Sequence, residues 1–201
     1  MAVNRILKRA AAWILFCVSL APSTAYANEN AAAKETLPTL TVNAKAALLM
    51  EPVTGRILLE QNAHEQLEPA SVTKIMTMLL IFEALDQGKI NWDDTVTCSE
   101  HAASMGGSQI YLEAMEQQSV RDLVKAIVIS SANDASVAMA EFVAGSEDGF
   151  VTMMNTRAKE LGMNNTHFVN SCGLHAEGHV TTAYDIALMS RELVNNHPNV
   201  F

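Results

Sequence analysis

Two pairs of polar residues in this sequence have types and spacings suited to nucleophilic chemistry. The first pair, Ser71 and Lys74, lies in "EPASVTKIMTMLL", just ahead of an apolar run. On a helix this spacing puts the hydroxyl and the amine on one face, one turn apart. A serine becomes a nucleophile when a base takes its proton, and a lysine can be that base once burial lowers its pKa. The pattern is typical of acyl transfer, with Ser71 as nucleophile and Lys74 as general base.

The second pair is Ser131 and Asn133, in "SSAND". The sequences on either side, residues 119–130 and 135–145, each have a helical pattern, so the pair lies at a break between two helices. A short turn there can direct both side chains into a cleft. A serine hydroxyl can relay a proton, and an asparagine amide can hold both a lysine and a substrate carbonyl.

Both pairs also have a purely structural interpretation. Ser71 could cap a helix whose Lys74 stays in solvent, and Ser131 or Asn133 could start the next helix. A serine three residues before a lysine is expected about once by chance in a chain of this length. The two motifs alone therefore do not decide between catalysis and capping.

The elements that must position these residues begin with a hairpin. Two stretches rich in apolar residues, 44–50 and 55–62, flank a Pro/Gly turn and predict two antiparallel strands. From Ser71 to the expected stop at Gly88 the chain is apolar on nearly all sides, which predicts a core helix. Residues 91–118 lack periodicity and predict a long surface loop that contains Gly106, Gly107 and Ser108.

Four further helices are predicted downstream, among them the segment of residues 135–145. Ser119 and Asp122 have the spacing of a capping box, and so do Thr182 and Asp185. Between them, residues 146–163 form an amphipathic segment. Many helices thus accompany a single hairpin, and two strands alone do not make a stable sheet. We therefore expect strands outside this chain to complete the sheet.

The first 27 residues have the three parts of a secretory signal peptide: a basic start, a short apolar core and "AYA" before the cleavage point. We expect cleavage after Ala27, export to the cell envelope, and a flexible leader over residues 28–43. A retained N-terminal anchor and lipid attachment at Cys17 are weaker alternatives, because the small residues fit a peptidase and Phe16 does not fit a lipoprotein site.

The charge of the chain excludes one class of function. Three of the 13 basic residues and none of the 22 acidic ones precede residue 28, so the remainder has 10 basic and 22 acidic residues and a formal charge of −12. Such a charge repels phosphates, and nucleic-acid binding is excluded.

The cysteines and histidines predict neither a disulfide scaffold nor a metal site. Export would permit a bond between Cys98 and Cys172, and the sequence leaves that pairing open. His175 and His179 have a ligand-like spacing, but Gly178 makes a helix there improbable and no third ligand is near in sequence. We expect no metal and no cofactor.

The residues around the motifs resemble one family. The resemblance is carried, in this order, by "EPASVTKIMT", "GGSQIYLEAMEQQSVRDLVKAIVISSANDAS" and "NSCGLHAEGHVTTAYDIALMSREL". These segments are similar to the D-alanyl-D-alanine carboxypeptidases, the low-molecular-mass penicillin-binding proteins of serine peptidase family S11. The resemblance extends over residues 44–198. It implies an α+β fold of the β-lactamase/DD-peptidase type, with helices packed on an antiparallel sheet.

The resemblance also implies a mechanism. Ser71 would attack the penultimate D-alanine carbonyl of a peptidoglycan stem pentapeptide while Lys74 accepts its proton. Ser131 would relay a proton to the leaving D-alanine, Asn133 would help to place the substrate, and water would then hydrolyse the acyl-enzyme. β-Lactam antibiotics would acylate the same serine and act as inhibitors. In the family, the loops around Gly106 and His175 border the active-site cleft.

The sequence departs from the family because it contains no K-T-G, and the family's C-terminal β domain is absent too. In the family this motif follows the region matched here, on a strand that would pair with the hairpin. We therefore expect residues 44–201 to be a DD-peptidase domain truncated before that strand, with membrane association only through a C-terminal anchor absent from this chain. The alternatives are an inactive penicillin-binding fragment, a non-catalytic cell-wall binding module and, less favoured because no E-x-x-L-N follows Asn133, a β-lactamase.

Overall fold

Six α-helices, one 3-10 turn and two small antiparallel sheets make up residues 42–197, the part of the chain that the computed structural model describes. The strands are β1 (Ala47–Met50), β2 (Ile57–Gln61), β3 (Thr95–Thr97) and β4 (Gln117–Ser119). The helices are the 3-10 turn (Ala70–Thr73), α1 (Lys74–Asp86), α2 (Glu100–Ala103), α3 (Val120–Ser130), α4 (Asn133–Ala144), α5 (Glu147–Glu160) and α6 (Ala183–Asn196). The predicted signal peptide and nearly all of the predicted leader lie outside the described residues.

Helix α1 is the centre of the core, as its sequence predicts. Its apolar residues point in all directions, and Met76, Leu79 and Ile81 are completely inaccessible to solvent. Helices α4, α5 and α6 pack around it. Each buried side chain of this size stabilises the fold by about 1.5–3 kcal/mol. The helix ends at Asp86, with Gln87 as its C-cap, and Gly88 follows with a φ of +65°, which confirms the predicted stop.

The predicted hairpin is confirmed as β1 and β2, paired antiparallel with an irregularity after Leu49. The carboxylate of Glu51 accepts hydrogen bonds from the backbone N–H groups of Val53 and Thr54, which closes the turn. Helix α6 holds that turn from the other side, because Arg191 donates to the carbonyl of Pro52 at 2.6 Å. The hairpin is thereby fixed against the helical core.

The prediction of one long irregular loop over residues 91–118 is wrong. Strands β3 and β4 pair there antiparallel, Thr95 opposite Ser119, and the four-residue helix α2 lies between them. Val96 is buried and anchors this second sheet in the core. Three-residue strands are too short to show a period of two, so the sequence gives no signal for them.

The predicted helix starts are confirmed. The hydroxyl of Ser119 accepts from the N–H of Asp122, and that of Thr182 accepts from the N–H of Asp185. Within residues 42–197 no helix is both long and apolar enough to cross a membrane.

One arginine joins three helices. Arg157 of α5 contacts Glu83 of α1 at 2.8 Å and Glu192 of α6 at 2.7 Å, and it reaches Glu160 of its own helix at 3.2 Å. The guanidinium offers its donors in a planar fork, so it can bind several carboxylates at once. Three of the packed helices are thus linked at their surface.

Candidate active site

Ser71 lies on the 3-10 turn that leads into α1. The turn follows Pro69, and Ala70 adopts a φ of +46°, in the left-handed region. Within the described residues the Ser71 hydroxyl accepts no hydrogen bond from a backbone N–H, so capping does not occupy it. Ser71 is exposed and Lys74 is 5% exposed, which places the amine beneath the hydroxyl at 3.5 Å.

The amine of Lys74 has two strong partners, and both are neutral. Its Nζ lies 2.7 Å from Oδ1 of Asn133 and 2.7 Å from the carbonyl oxygen of Cys172. Lys74 forms no ion pair within residues 42–197. Burial lowers the pKa of Lys74 and outweighs the opposing electrostatic effect of Cys172. The alternative of a solvated lysine is wrong.

A neutral Lys74 would have both of its N–H bonds committed. One would point to Asn133 and the other to Cys172, so the nitrogen lone pair would remain for the third neighbour, the hydroxyl of Ser71. The 3.5 Å separation is longer than a strong hydrogen bond, as is common for catalytic pairs without substrate. The arrangement can remove a proton from Ser71.

Asn133 is the first residue of α4, directly after the predicted break. Its Oδ1 accepts from Lys74, its Nδ2 donates to the carbonyl of Gly106 at 2.7 Å, and its backbone N–H donates to Ser108 at 2.7 Å. Asp134 holds the same loop further along the chain, because its carboxylate accepts hydrogen bonds from two backbone N–H groups there. Sequence reasoning missed Asp134, although it directly follows Asn133 in "SSAND".

Ser131 ends α3 in the left-handed conformation, with φ 53° and ψ 36°. A non-glycine residue there costs on the order of 1–2 kcal/mol, which the surrounding structure must offset. Ser131 lines a cleft of about 290 Å³ together with Ser71 and Lys74. Its hydroxyl makes no hydrogen bond to other residues between 42 and 197, so it is available to a ligand. Four other residues complete most of the wall: Ile75, Met78, Ile127 and Val128.

The loop between α5 and α6, residues 161–182, provides the acceptor that sequence reasoning missed. The carbonyl of Cys172 holds Lys74, and the preceding residue, Ser171, is itself fixed because Glu147 accepts from its N–H at 3.0 Å and from its hydroxyl at 2.7 Å. No residue type predicts this contact, since every residue has a backbone carbonyl. Cys172 and Cys98 are both buried free thiols, which settles the pairing that the sequence left open.

Gly173 makes the closest approach between this loop and the nucleophile turn. A Cβ at this position would lie 1.8 Å from the carbonyl oxygen of Ala70, and the φ of Gly173 is +85°. Only glycine fits both requirements.

His175 and His179 differ in exposure and in hydrogen-bond partners. His175 is exposed and contacts Glu68 at 3.1 Å, whereas His179 is buried and lies 2.8 Å from the hydroxyl of Thr73. Among residues 42–197 no group of three His, Cys, Asp or Glu side chains could hold a metal ion.

Comparison with known proteins places this geometry in a family. The model of the S11 peptidases, described as D-alanyl-D-alanine carboxypeptidase, matches residues 29–201. The chain belongs to the S11 peptidase family. It is 60% identical to the D-alanyl-D-alanine carboxypeptidase DacF of Bacillus subtilis over 151 residues, which are 75% of this chain and 39% of the relative. It is 40% identical to DacC of Escherichia coli, covering 98% of this chain and 50% of the relative.

Solved structures agree with the family and with the α+β fold. The D-alanyl-D-alanine carboxypeptidase DacD of Francisella tularensis has a TM-score of 0.80 at 38% identity, covering 88% of this chain and 44% of that chain. Penicillin-binding protein D2 of Listeria monocytogenes, in its cefotaxime-bound form, has a TM-score of 0.72 at 34% identity, covering 81% and 66%. The chain spans half or less of the length of the two curated relatives above.

Proposed function

We propose that this S11 peptidase chain carries the nucleophile half of a serine-type D-Ala-D-Ala carboxypeptidase. The observation that carries the proposal is the environment of Lys74: a buried amine, two neutral acceptors that use its N–H bonds, and the Ser71 hydroxyl as its third neighbour. This is the arrangement that a lysine general base requires, and a lysine that only stabilised the fold would be expected to pair with a carboxylate.

The reaction begins when the oxygen of Ser71 attacks the penultimate D-alanine carbonyl of a stem peptide. Lys74 takes the hydroxyl proton as the new C–O bond forms. The amide bond to the terminal D-alanine then breaks, and Ser131 relays a proton to the departing amine. Water hydrolyses the ester on Ser71 and restores the free hydroxyl. Asn133 keeps Lys74 in place and presents its amide beside the substrate.

β-Lactams are proposed as inhibitors of the same site. One relative at 34% identity, penicillin-binding protein D2, has been solved in cefotaxime-bound and ampicillin-bound forms. A β-lactam carbonyl would acylate Ser71 in the same way as the substrate carbonyl. Because the substrate is peptidoglycan, we propose an extracytoplasmic location, reached through cleavage of the signal peptide predicted over residues 1–27.

The test is the mass of the intact protein after incubation with benzylpenicillin, together with release of D-alanine from a peptide ending in D-Ala-D-Ala. We expect one stoichiometric adduct, absent in Ser71→Ala and retained in Ser190→Ala, whose hydroxyl bonds the backbone of α6. A folded protein that forms no adduct and releases no D-alanine would contradict the proposal. Rapid turnover of benzylpenicillin would favour a β-lactamase instead.

A further inference from the structure

One face of the nucleophile segment is bound to the loop behind it at four positions. Gly173 lies directly against the carbonyl of Ala70, and His179 bonds the hydroxyl of Thr73. In the next turn the carbonyl of Cys172 accepts from Lys74, and the carbonyl of Ser171 accepts from Thr77. These four helical positions, 70, 73, 74 and 77, have the spacing of a single helix face.

His179 has a defined tautomer in this contact. Its Nδ1 lies 3.0 Å from the backbone N–H of Val169, which can only donate, so Nδ1 must accept. The proton is therefore on Nε2, which donates to Oγ1 of Thr73 at 2.8 Å. The ring is 2% exposed and packs edge-on against Phe168. Both nitrogens are used and the ring cannot turn without losing both bonds.

The surroundings favour the neutral ring. Burial lowers the pKa of His179, His167 lowers it further, and Glu68 acts in the opposite direction. His175 is the remaining titratable group at this small cavity, and it is paired with Glu68. A second proton, on Nδ1, would face the N–H of Val169 and break that bond. Acidification would thus free the ring from Val169 and weaken the orientation of its Nε2–H toward Thr73.

We propose that His179 is a positioning residue for the nucleophile: it acts through Thr73 to hold the turn that carries Ser71 and Lys74. Thr73 lies between these two residues in sequence and is completely buried. A displacement of this turn would change the 3.5 Å separation of Ser71 and Lys74. The inference rests on the proposed acylation of Ser71.

The test measures acylation by benzylpenicillin in the complete protein carrying His179→Ala, His179→Gln or Thr73→Val. We expect His179→Ala to acylate about tenfold more slowly, because small misplacements of reacting groups are costly. His179→Gln should recover most of the rate, since its amide can donate to Thr73. The double variant His179→Ala/Thr73→Val should be no slower than the slower single variant, as the two residues share one bond.

The matched control is His197→Ala. His197 is also buried and also bonds α1, through Asp86 at the opposite end of the helix. We expect it to lower the melting temperature without slowing acylation. In the pH profile, the wild-type rate should fall more steeply below the pKa of His179, and His179→Gln should lack that additional fall.

Backbone hydrogen exchange separates failure of this inference from failure of the proposed function. In His179→Ala, the amides of residues 72–76 should exchange about tenfold or more faster, while those of residues 80–86 stay unchanged. If the wild type is not acylated, the proposed function fails, and this local exchange still decides the positioning role. Equal acceleration along all of α1, or unaltered acylation in His179→Ala, would overturn the inference.

Discussion

The Nζ atom of Lys74 lies 2.7 Å from Oδ1 of Asn133, a residue 59 positions away in the sequence. This bond joins the first turn of α1 to the first turn of α4. The same amide donates to the carbonyl of Gly106, so three separate segments meet at one side chain. Asn133 therefore determines both the position and the electrostatic environment of the lysine.

Asn133→Asp should impair acylation by changing the charge of the site. A carboxylate at this position would raise the pKa of Lys74 and keep the amine protonated. We expect acylation at neutral pH to fall on the order of 100-fold, with partial recovery at higher pH, as measured by the rate of labelling with a fluorescent penicillin. Asn133→Ala should also be slower but without the alkaline shift. Asn195→Ala, which alters an exposed amide on α6, is the control, and an unaltered rate in Asn133→Asp would contradict the role of Lys74.

The pH dependence of the wild-type protein should report the lowered pKa of Lys74. A general base works only when it is deprotonated, so the acylation rate should rise with pH through that pKa and level off below about 10.5, the ordinary value. Between the lowered pKa of Lys74 in the folded chain and about 10.5, Lys74 binds a proton in the unfolded chain and not in the folded one. The contribution of Lys74 to the free energy of unfolding is therefore greatest above about pH 10.5, and it is lost as the pH falls through the folded-state pKa. A rate that keeps rising beyond pH 10.5 would show that the base is not this buried lysine.

Gly173→Ala should be strongly destabilising. The new methyl group would overlap the carbonyl oxygen of Ala70 and would need a φ that disfavours side chains. We expect a loss of about 3 kcal/mol or more in urea unfolding, together with slow acylation, because the turn before Ser71 must move. Gly178→Ala, in the same loop, has a similar φ of +81° but nothing within 4 Å of the added carbon, so it should cost only about 1–2 kcal/mol. Equal costs for the two variants would show that the close approach has no energetic weight.

Arg157→Met should lower stability without changing the acylation rate at saturating β-lactam. Removing the guanidinium leaves Glu83 and Glu192 without their shared partner, while the methionine retains most of the packing volume. We expect a loss of about 1–2 kcal/mol in thermal unfolding, smaller at high salt. Lys125→Met removes an exposed pair with Asp122 and should cost measurably less. If the two substitutions cost the same, the three-helix network contributes nothing beyond a surface pair.

Much of the scaffold could be predicted because it depends on local signals. Three kinds of feature depend on residues close together in the sequence: the apolar surface of α1, the turn at Glu51, and the caps at Ser119 and Thr182. Local hydrogen bonds and the periodicity of buried residues can therefore be predicted from the sequence. The short strands β3 and β4 were not, because their pairing joins segments too short to show a pattern.

The candidate site divides in the same way. The sequence by itself proposed Ser71, Lys74, Ser131 and Asn133 as candidates, since their chemistry depends on side-chain type and on spacing within a turn. Only the tertiary structure showed what surrounds Lys74: the carbonyl of Cys172, the loop held by Asn133, and the His179 contact behind the turn. Those contacts are between distant segments, and several use backbone atoms that every residue possesses. The pKa of a lysine is set by such neighbours and by burial, so it was decided by packing and not by the motif.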